Sequence, residues 1–254
     1  MNPTAIPRHP VVIDEETVLV GTANELMVAL DVLQGRHDRE ALEQLRPHLA
    51  DVIANAEGFL SVIKSLSPAD QSFLNECIGA RLAGILENAA HLRELLAAMA
   101  HAEVEEALLR TLGRTGLRAL IHTPEELAGA LEWVYGQCDK LLLELLGLDH
   151  VRRLCRQAGD LSAVLRSLDS ALQESLLEEL GWARVAQLPR DAHDLAALMR
   201  ALPPAASKRL LAQLSRERLI ELIGNVDDWD YLYQRLEPDE AGAVVRLLGA
   251  GSRA

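Results

Sequence analysis

The stretch Ala186–Leu219, AQLPRDAHDLAALMRALPPAASKRLLAQLSRERL, decides the fold because its pattern recurs along most of the chain. If Leu195, the first apolar residue of its DLAALMRAL segment, is taken as a marker, equivalent residues follow one another at intervals of 33 to 35. The markers are Leu26, Phe59, Leu92, Leu127, Leu161, Leu195 and Trp229. Such a fixed period is the sequence signature of a solenoid. The sequence therefore predicts an all-α solenoid, or superhelix, of about seven repeats of about 34 residues.

Each copy of the repeat is predicted to contain three short helices. The first begins at a capping residue four positions before the marker, and apolar residues follow at helical spacing. A polar or proline-containing turn leads to the second helix, which is expected to end at a glycine in the left-handed conformation. A third short helix closes the copy. The caps are Thr22, Asn55, Asn88, Thr123, Gln157, Asp191 and Asn225, and the glycines include Gly79, Gly113, Gly147 and Gly181.

The copies predict one repeat domain over residues 22–254, with units starting near 22, 55, 88, 123, 157, 191 and 225. The last copy is expected to stop after its second helix, which leaves an apolar end. Residues 1–21 do not fit the repeat. Their prolines at 3, 7 and 10 favour an extended or disordered segment, and the alternative is that PVVIDEETVLV forms an ordered strap over the first copy.

The composition is acidic and poor in aromatic residues. Of the 254 residues 49% are hydrophobic but only 3% are aromatic, so a core of Leu, Ala, Val and Ile is expected. The formal net charge of −13 argues against a nucleic-acid partner, because binding to a phosphate backbone needs clustered Lys and Arg.

The sequence also bears on compartment and chemistry. Cys77, Cys138 and Cys155 are odd in number and form no C-x-x-C pair, which favours a reducing compartment. No run of 18 apolar residues and no signal-peptide pattern occurs, so a cytoplasmic protein without membrane insertion is expected. A glycine-rich phosphate loop, a zinc-ligand cluster and a nucleophile beside a base are all missing from the sequence, so we expect no cofactor and no enzyme activity.

Aromatic residues supply the first candidate partner-binding set. Three of the eight lie in the last copy, at Trp229, Tyr231 and Tyr233, and two more lie at Trp133 and Tyr135. Helical spacing places Trp229 and Tyr233 on one face and Tyr231 roughly opposite. Because Trp229 occupies the marker position it is expected to pack in the core, whereas Tyr231 is expected to be exposed and available to a partner.

Charged residues supply two further candidates. The arginines of the third helices predict either ion pairs between copies or a strip for an acidic partner, and Arg152, Arg153 and Arg156 are the candidate binding residues among them. The full set is Arg81, Arg114, Arg118, Arg152, Arg153, Arg156, Arg184, Arg216 and Arg218. The acids Asp227, Asp228 and Asp230 predict helix capping, with a divalent-cation site as the weaker alternative, because their stretch lacks the glycine and distal glutamate of an EF-hand loop.

Two segments carry a resemblance to a known family. DLAALMRALPPAASKRLLAQLSRERLIELI, at 194–223, and DYLYQRLEPDEAGAVVRLLG, at 230–249, are similar to the cytosolic N-terminal helical domain of MgtE-type magnesium transporters. The similarity extends over most of the chain in rhythm, and it implies architecture alone, a superhelix of short helices. The nucleotide-binding-like modules and membrane helices of the transporter have no counterpart in this sequence, so the resemblance implies no transport.

A long helical surface without catalytic groups predicts a non-enzymatic protein–protein interaction scaffold or adaptor. Its partner would be a peptide, a helix or a protein domain, and a homo-oligomer formed through the C-terminal end is one such association. The alternatives are a nucleic-acid-binding helical repeat protein and a divalent-cation-responsive regulatory module. The sequence does not identify the partner.

Overall fold

The computed structural model describes residues 6–13, 15–33, 37–99 and 101–249. Within these ranges the protein is helical apart from one two-stranded antiparallel sheet, so the predicted all-α class is confirmed. In the same ranges no helix is long and apolar enough to cross a membrane.

The helices follow the predicted order within a copy. The two strands are β1, His9–Ile13, and β2, Glu16–Val20. The first helices are α1 (Ala23–Leu33), α4 (Ala56–Ser65), α7 (Ala89–Ala98), α9 (Pro124–Leu131), α12 (Ala158–Arg166), α15 (Ala192–Ala201) and α18 (Val226–Tyr233). The second helices are α2 (Asp38–Leu45), α5 (Pro68–Ile78), α8 (Ala102–Leu120), α10 (Cys138–Leu146), α13 (Ser170–Leu180), α16 (Pro204–Gln213) and α19 (Pro238–Gly249). The third helices are α3 (Leu49–Val52), α6 (Leu82–Leu86), α11 (Leu148–Leu154), α14 (Trp182–Val185) and α17 (Arg216–Leu222).

The predicted capping residues start the first helices. The side chains of Asn55, Asn88, Asp191 and Asn225 each accept a hydrogen bond from the backbone N–H three residues later, at 2.8 to 3.0 Å. Thr22 makes the same bond, and at Thr123 it is joined by a reciprocal bond from the Thr123 N–H to Glu126. These bonds satisfy donors that have no partner inside the helix. The helix starts are therefore determined by local sequence.

The predicted glycines end the second helices, but not in the expected conformation. Gly147 has φ 76° and ψ 147°, and Gly181 has φ 87° and ψ 120°. Gly79 and Gly113 also have positive φ, and Gly113 breaks α8 into a second and a third helix. The positive φ agrees with the prediction, whereas the extended ψ does not belong to a left-handed cap. The backbone turns sharply into the third helix here, in a region that side chains avoid.

A buried polar residue near the start of the second helix ties it to the first. The Gln173 side-chain amide donates to the carbonyls of Leu165 and Leu168, at 2.6 and 3.1 Å. Gln71 makes the same pair of bonds to Ile63 and Leu66, and the hydroxyl of Ser207 bonds to the carbonyl of Met199. The bonded carbonyls lie at the end of the first helix, where intrahelical partners run out. The tie therefore fixes the angle between the two helices.

The contacts divide the chain into two compact units, residues 1–122 with 133–146 and residues 123–132 with 147–254. In the first unit α1, α4 and α7 pack in a row, and α2, α5, α8 and α10 pack in another. In the second unit α9, α12, α15 and α18 form one row, and α11, α14 and α17 each pack on the second helix of the following copy. Leu, Ala, Val and Ile provide most of the buried side chains, as the composition indicated.

The segment before the first copy is a β-hairpin rather than a disordered tail. β1 pairs with β2 in antiparallel register, with Val11 opposite Val18. Val11, Ile13 and Val20 are buried, and β1 contacts α2 while β2 contacts α1. The two strands therefore form an ordered segment against α1 and α2. Residues 1–5 and Asp14 lie outside the described residues.

Candidate protein-binding surface

Helix α18 carries the aromatic residues of the last copy. The Asn225 cap sets its start, so the residues that follow have fixed directions around the helix axis. Val226, Trp229 and Tyr233 are spaced by three and four residues and form one stripe, and the Trp229 and Tyr233 rings lie 5.6 Å apart between centroids. We call these three residues the end surface.

The end surface is exposed to solvent, whereas the equivalent residues of the preceding first helix are buried. Val226 is 73% exposed and Tyr233 is 52% exposed, and Trp229 is partly exposed. In α15 the equivalent residues Ala192, Leu195 and Met199 are all buried. The marker position and the position four residues after it are buried in all six preceding first helices. The last copy therefore presents aromatic side chains at positions that its relatives use for the core.

The second helix of the last copy shows the same departure. Val245 of α19 is 50% exposed, whereas its equivalents Leu177 and Leu211 are buried. The α18 and α19 helices thus both leave core-type side chains exposed.

The structure corrects the assignment of Tyr231 and Trp229. Tyr231 is partly buried, because its ring lies 3.8 Å from the His193 ring of α15 on one side. The Arg235 guanidinium lies 3.6 Å from the centre of the same ring, and Arg235 also donates to the Tyr231 carbonyl. Tyr231 therefore helps to join α18 to α15. Trp229 is only partly buried, and Tyr233 rather than Tyr231 is the most exposed of the three aromatic residues.

Helix α18 also contains the three acids that the sequence suggested as a weak cation site, Asp227, Asp228 and Asp230. The backbone N–H of Asp228 donates to the Asn225 side chain, and Asp227 and Asp230 are exposed at other angles around the axis. In the described part of the chain no three His, Cys, Asp or Glu side chains are grouped so that they could hold a metal ion. Asp228 thus takes part in the cap of α18 through its backbone, and a divalent-cation response at these acids stays a prediction.

Most of the predicted arginine strip is used to join copies. Arg118 donates twice to the Leu146 carbonyl, at 2.8 and 2.6 Å, and Arg152 donates to the Glu179 carbonyl at 2.9 Å. Arg114 and Arg216 make bonds of the same kind to Leu145 and Leu248. Each acceptor lies in the last turn of the next second helix, whose carbonyls have no intrahelical partner.

Two more arginines point back along the chain. Arg184 donates to the Arg152 carbonyl, and Arg218 donates to the Pro189 carbonyl. An ion pair between copies, the interpretation favoured from the sequence, occurs at Arg81 and Asp51. The other arginine bonds between copies go to backbone carbonyls. A guanidinium can donate to the free carbonyls at the end of a helix, so no acidic side chain is needed.

The three arginines proposed for partner binding thus differ. Arg152 joins two copies through its hydrogen bond to the Glu179 carbonyl. Arg153 and Arg156 are exposed, and their bonds lie within their own segment, to the His150 ring and to the Arg153 carbonyl. A partner contact by Arg153 or Arg156 stays a prediction.

Replacing Arg118 with methionine tests the tie between copies. We expect Arg118→Met to lower the free energy of unfolding by about 1 kcal/mol, because the Leu146 carbonyl loses a charged donor while the apolar stem is kept. Urea denaturation followed by circular dichroism measures the change. Arg93, exposed on α7, is the matched control, and Arg93→Met should change stability by less than about 0.5 kcal/mol. Equal losses in the two variants would contradict the tie.

Trp133 and Tyr135 lie in the connection before α10, and both rings are exposed. The backbone N–H of Tyr135 donates to a Glu105 carboxylate oxygen at 2.8 Å. Glu105 is fully buried, and its other carboxylate oxygen has no hydrogen-bond partner among the described atoms. The connection is therefore held by its backbone, and its aromatic side chains are left in solvent.

The cysteines have no sign of activation as nucleophiles. Burial raises the pKa of the Cys155 thiol to about 12. Burial, followed by the charge of Glu105, raises the pKa of Cys138 to about 11, and burial also raises the pKa of Cys77. A thiol must ionise to attack or to bind a metal, so these three are protonated at neutral pH and act as small apolar groups.

Comparisons with protein-family models, with curated proteins and with solved structures found no match for this chain. The resemblance to MgtE-type helical domains therefore stays a prediction from the sequence, and the surface must be interpreted from its own geometry.

Proposed function

We propose that the protein is a non-enzymatic, cytoplasmic scaffold or adaptor. In this proposal the helices form a solenoid of seven three-helix copies, and the end surface binds a helical segment of another protein. The observation that carries the proposal is the contrast at equivalent positions. Trp229 is partly exposed and Tyr233 is 52% exposed where all six preceding copies have buried residues, and Val226 is 73% exposed where four of the six do.

The packing of the first helices indicates what kind of partner fits. In the row α9, α12, α15 and α18, each inner helix has a first helix on both sides, and its apolar stripe is buried. Among the described residues α18 has one such neighbour, α15. An amphipathic helix with apolar residues at i, i+3 or i+4, and i+7 would extend the row and cover the stripe.

The side chains of the end surface suit this role. Trp and Tyr are the residue types that most often dominate binding energy, because they bury a large area and lose little conformational freedom. Asp230 is exposed beside the stripe, and Asp227 is exposed farther round the helix, so a partner helix with Lys or Arg flanking its apolar face is favoured. The overall charge of −13 supports the same choice and weighs against a nucleic acid.

A selection from a phage library of amphipathic helical peptides tests the proposal. We expect the protein to enrich peptides with apolar residues at helical spacing and basic flanks. The double variant Trp229→Ala, Tyr233→Ala should bind the selected peptides at least tenfold more weakly, since each aromatic anchor contributes about 2 kcal/mol or more and tenfold is about 1.4 kcal/mol.

The matched control is the double variant Trp133→Ala, Tyr135→Ala, which removes the other exposed pair of aromatic rings. It should bind as the wild type does, and circular dichroism should show that both double variants are folded. If the control loses binding instead, the site is not the end surface. If no peptide binds better to the wild type than to the end-surface variant, the proposed function is wrong.

A further inference from the structure

The β-hairpin has two outer edges, and only that of β1 is closed. The backbone N–H of Val12 donates to the side chain of Gln44, and the Gln44 amide donates to the Val12 carbonyl, both at 2.8 Å. Pro10, two residues earlier, has no N–H to offer. Gln44 and Pro10 thus protect this edge from further strand pairing.

The same bonds show which groups of β2 point outward. In an antiparallel pair, residues that do not bond each other direct both backbone groups away from the partner strand. Val12 faces Thr17 across the hairpin, and Pro10 faces Leu19. Because Val12 is bonded outward, to Gln44, Thr17 and Leu19 also present their N–H and C=O groups on the outer edge of β2. No described residue bonds to these four groups, and Thr17, Val18 and Leu19 are exposed.

We propose that the outer edge of β2 pairs with β2 of a second copy of this chain. The two strands run antiparallel about a two-fold axis at Val18, and the two hairpins form a four-stranded sheet. Thr17 then faces Leu19 of the other copy, and Leu19 faces its Thr17. All four free groups of each strand enter hydrogen bonds in this register, and the pairing is the same seen from either copy.

The side chains of ETVLV fit self-pairing. Val18 lies opposite Val18 of the second copy, in the closely spaced type of pair, and aliphatic β-branched residues favour such positions. Glu16 lies opposite Val20, so no two carboxylates face each other. Val12 and Leu19 are about half exposed on the solvent side of the hairpin, so the four-stranded sheet carries apolar side chains from both copies on this face. The association does not rest on the proposed function, because the end surface takes no part in it.

Self-association is tested by analytical ultracentrifugation over a hundredfold range of protein concentration. We expect the wild type to form a dimer at the higher concentrations. Thr17→Pro should stay monomeric, since proline removes an outward N–H and its ring blocks the approaching strand. Thr17→Val is the matched control and should dimerise, because it keeps the N–H. Unchanged circular dichroism shows that each variant is folded.

A cross-link tests the register. Two Val18 residues in a closely spaced antiparallel pair have Cα atoms about 4.5 Å apart, within the range that a disulfide spans. Val18→Cys should therefore give a covalent dimer on oxidation, and Val12→Cys, at a more exposed position on β1, should not. A wild type that is monomeric at every concentration overturns the proposal, as does equal cross-linking at both positions. The end-surface variant Trp229→Ala, Tyr233→Ala should keep the dimer, which separates this association from binding at α18.

Discussion

Gln173→Glu should lower the free energy of unfolding by about 4 to 5 kcal/mol at pH 7. Gln173 is buried and donates to two carbonyl oxygens, at 2.6 and 3.1 Å. A carboxylate of the same shape has no hydrogen to donate and would place its charge against both oxygens. The folded protein must therefore hold the new glutamate protonated. Taking a proton at pH 7 onto a group of ordinary pKa about 4.3 costs about 4 kcal/mol, and the one hydrogen-bond donor that is then missing costs about 1 kcal/mol more.

The pH dependence identifies this cause. The folded state of Gln173→Glu binds a proton that the unfolded state releases as pH rises above about 4.3. The loss of stability should therefore be about 1 kcal/mol at pH 4 and grow steadily towards pH 7. Urea denaturation at both pH values measures it. Gln213→Glu, at an exposed position of α16, is the matched control and should change stability by less than about 0.5 kcal/mol at either pH.

An equal loss of stability at pH 4 and pH 7 would contradict the proposed role of the Gln173 hydrogen bonds, because it would mean that the shape of the new side chain and not its charge lowers stability. A loss as small as that of Gln213→Glu at pH 7 would show that the Gln173 bonds do not matter in solution.

Local signals in the sequence predicted the helices well. The capping bonds at six first helices and the positive φ of four glycines depend on residues a few positions apart, so they can be predicted from the sequence. The turns SLSPADQ and SLDSALQ both end in the glutamine that bonds to the first helix, but a polar residue in a polar turn gives no sequence signal of burial. Its burial depends on how two helices pack, and sequence periodicity does not show that.

The candidate surface was predicted only in part. The aromatic residues of the last copy were identified because they depart from the repeat, yet Trp229, expected in the core, and Tyr231, expected to be exposed, are both partly exposed. A marker residue is buried only if another helix packs over it. Whether a helix packs over α18 depends on the neighbouring elements, and the spacing of apolar residues within α18 does not show it. The hairpin is similar: the sequence predicts at most an ordered strap for PVVIDEETVLV, because the bonds of Gln44 to Val12 join residues 32 positions apart.

Glu105→Gln is the reciprocal change, and it should raise the free energy of unfolding by about 2 kcal/mol at pH 7. Glu105 lies 34 residues after Gln71 and 68 before Gln173, so it occupies the position of the glutamine tie. It accepts from the Tyr135 N–H, but its other oxygen is buried without a described partner, and burial raises the pKa of this carboxyl. The Tyr135 N–H and the Cys138 thiol, which hydrogen-bond to it, lower that pKa by less than burial raises it.

Because the folded pKa of Glu105 lies above the unfolded one, the folded wild type binds the extra proton between the two values. The stability of the wild type should therefore fall as pH rises from about 4 through that window. Glutamine cannot titrate. Its carbonyl can accept from Tyr135, and its amide can donate towards the Ala97 carbonyl, which stands eight residues earlier, as Ile63 does before Gln71. Removing a buried, unpaired acceptor of this kind is worth about 1 to 3 kcal/mol.

The measurement is urea denaturation of wild type and Glu105→Gln between pH 4 and pH 7. The two proteins should be nearly equal in stability at pH 4. The variant should gain as pH rises from the unfolded to the folded pKa of Glu105, and should keep that gain at higher pH. Glu106→Gln, at the exposed neighbouring position, is the matched control and should show no such gain. If Glu105→Gln were less stable than the wild type at pH 7, the Glu105 carboxylate would be making interactions that glutamine cannot replace. The buried charge would then be a functional feature of the Tyr135 connection, and the absence of a glutamine at this position would not lower stability.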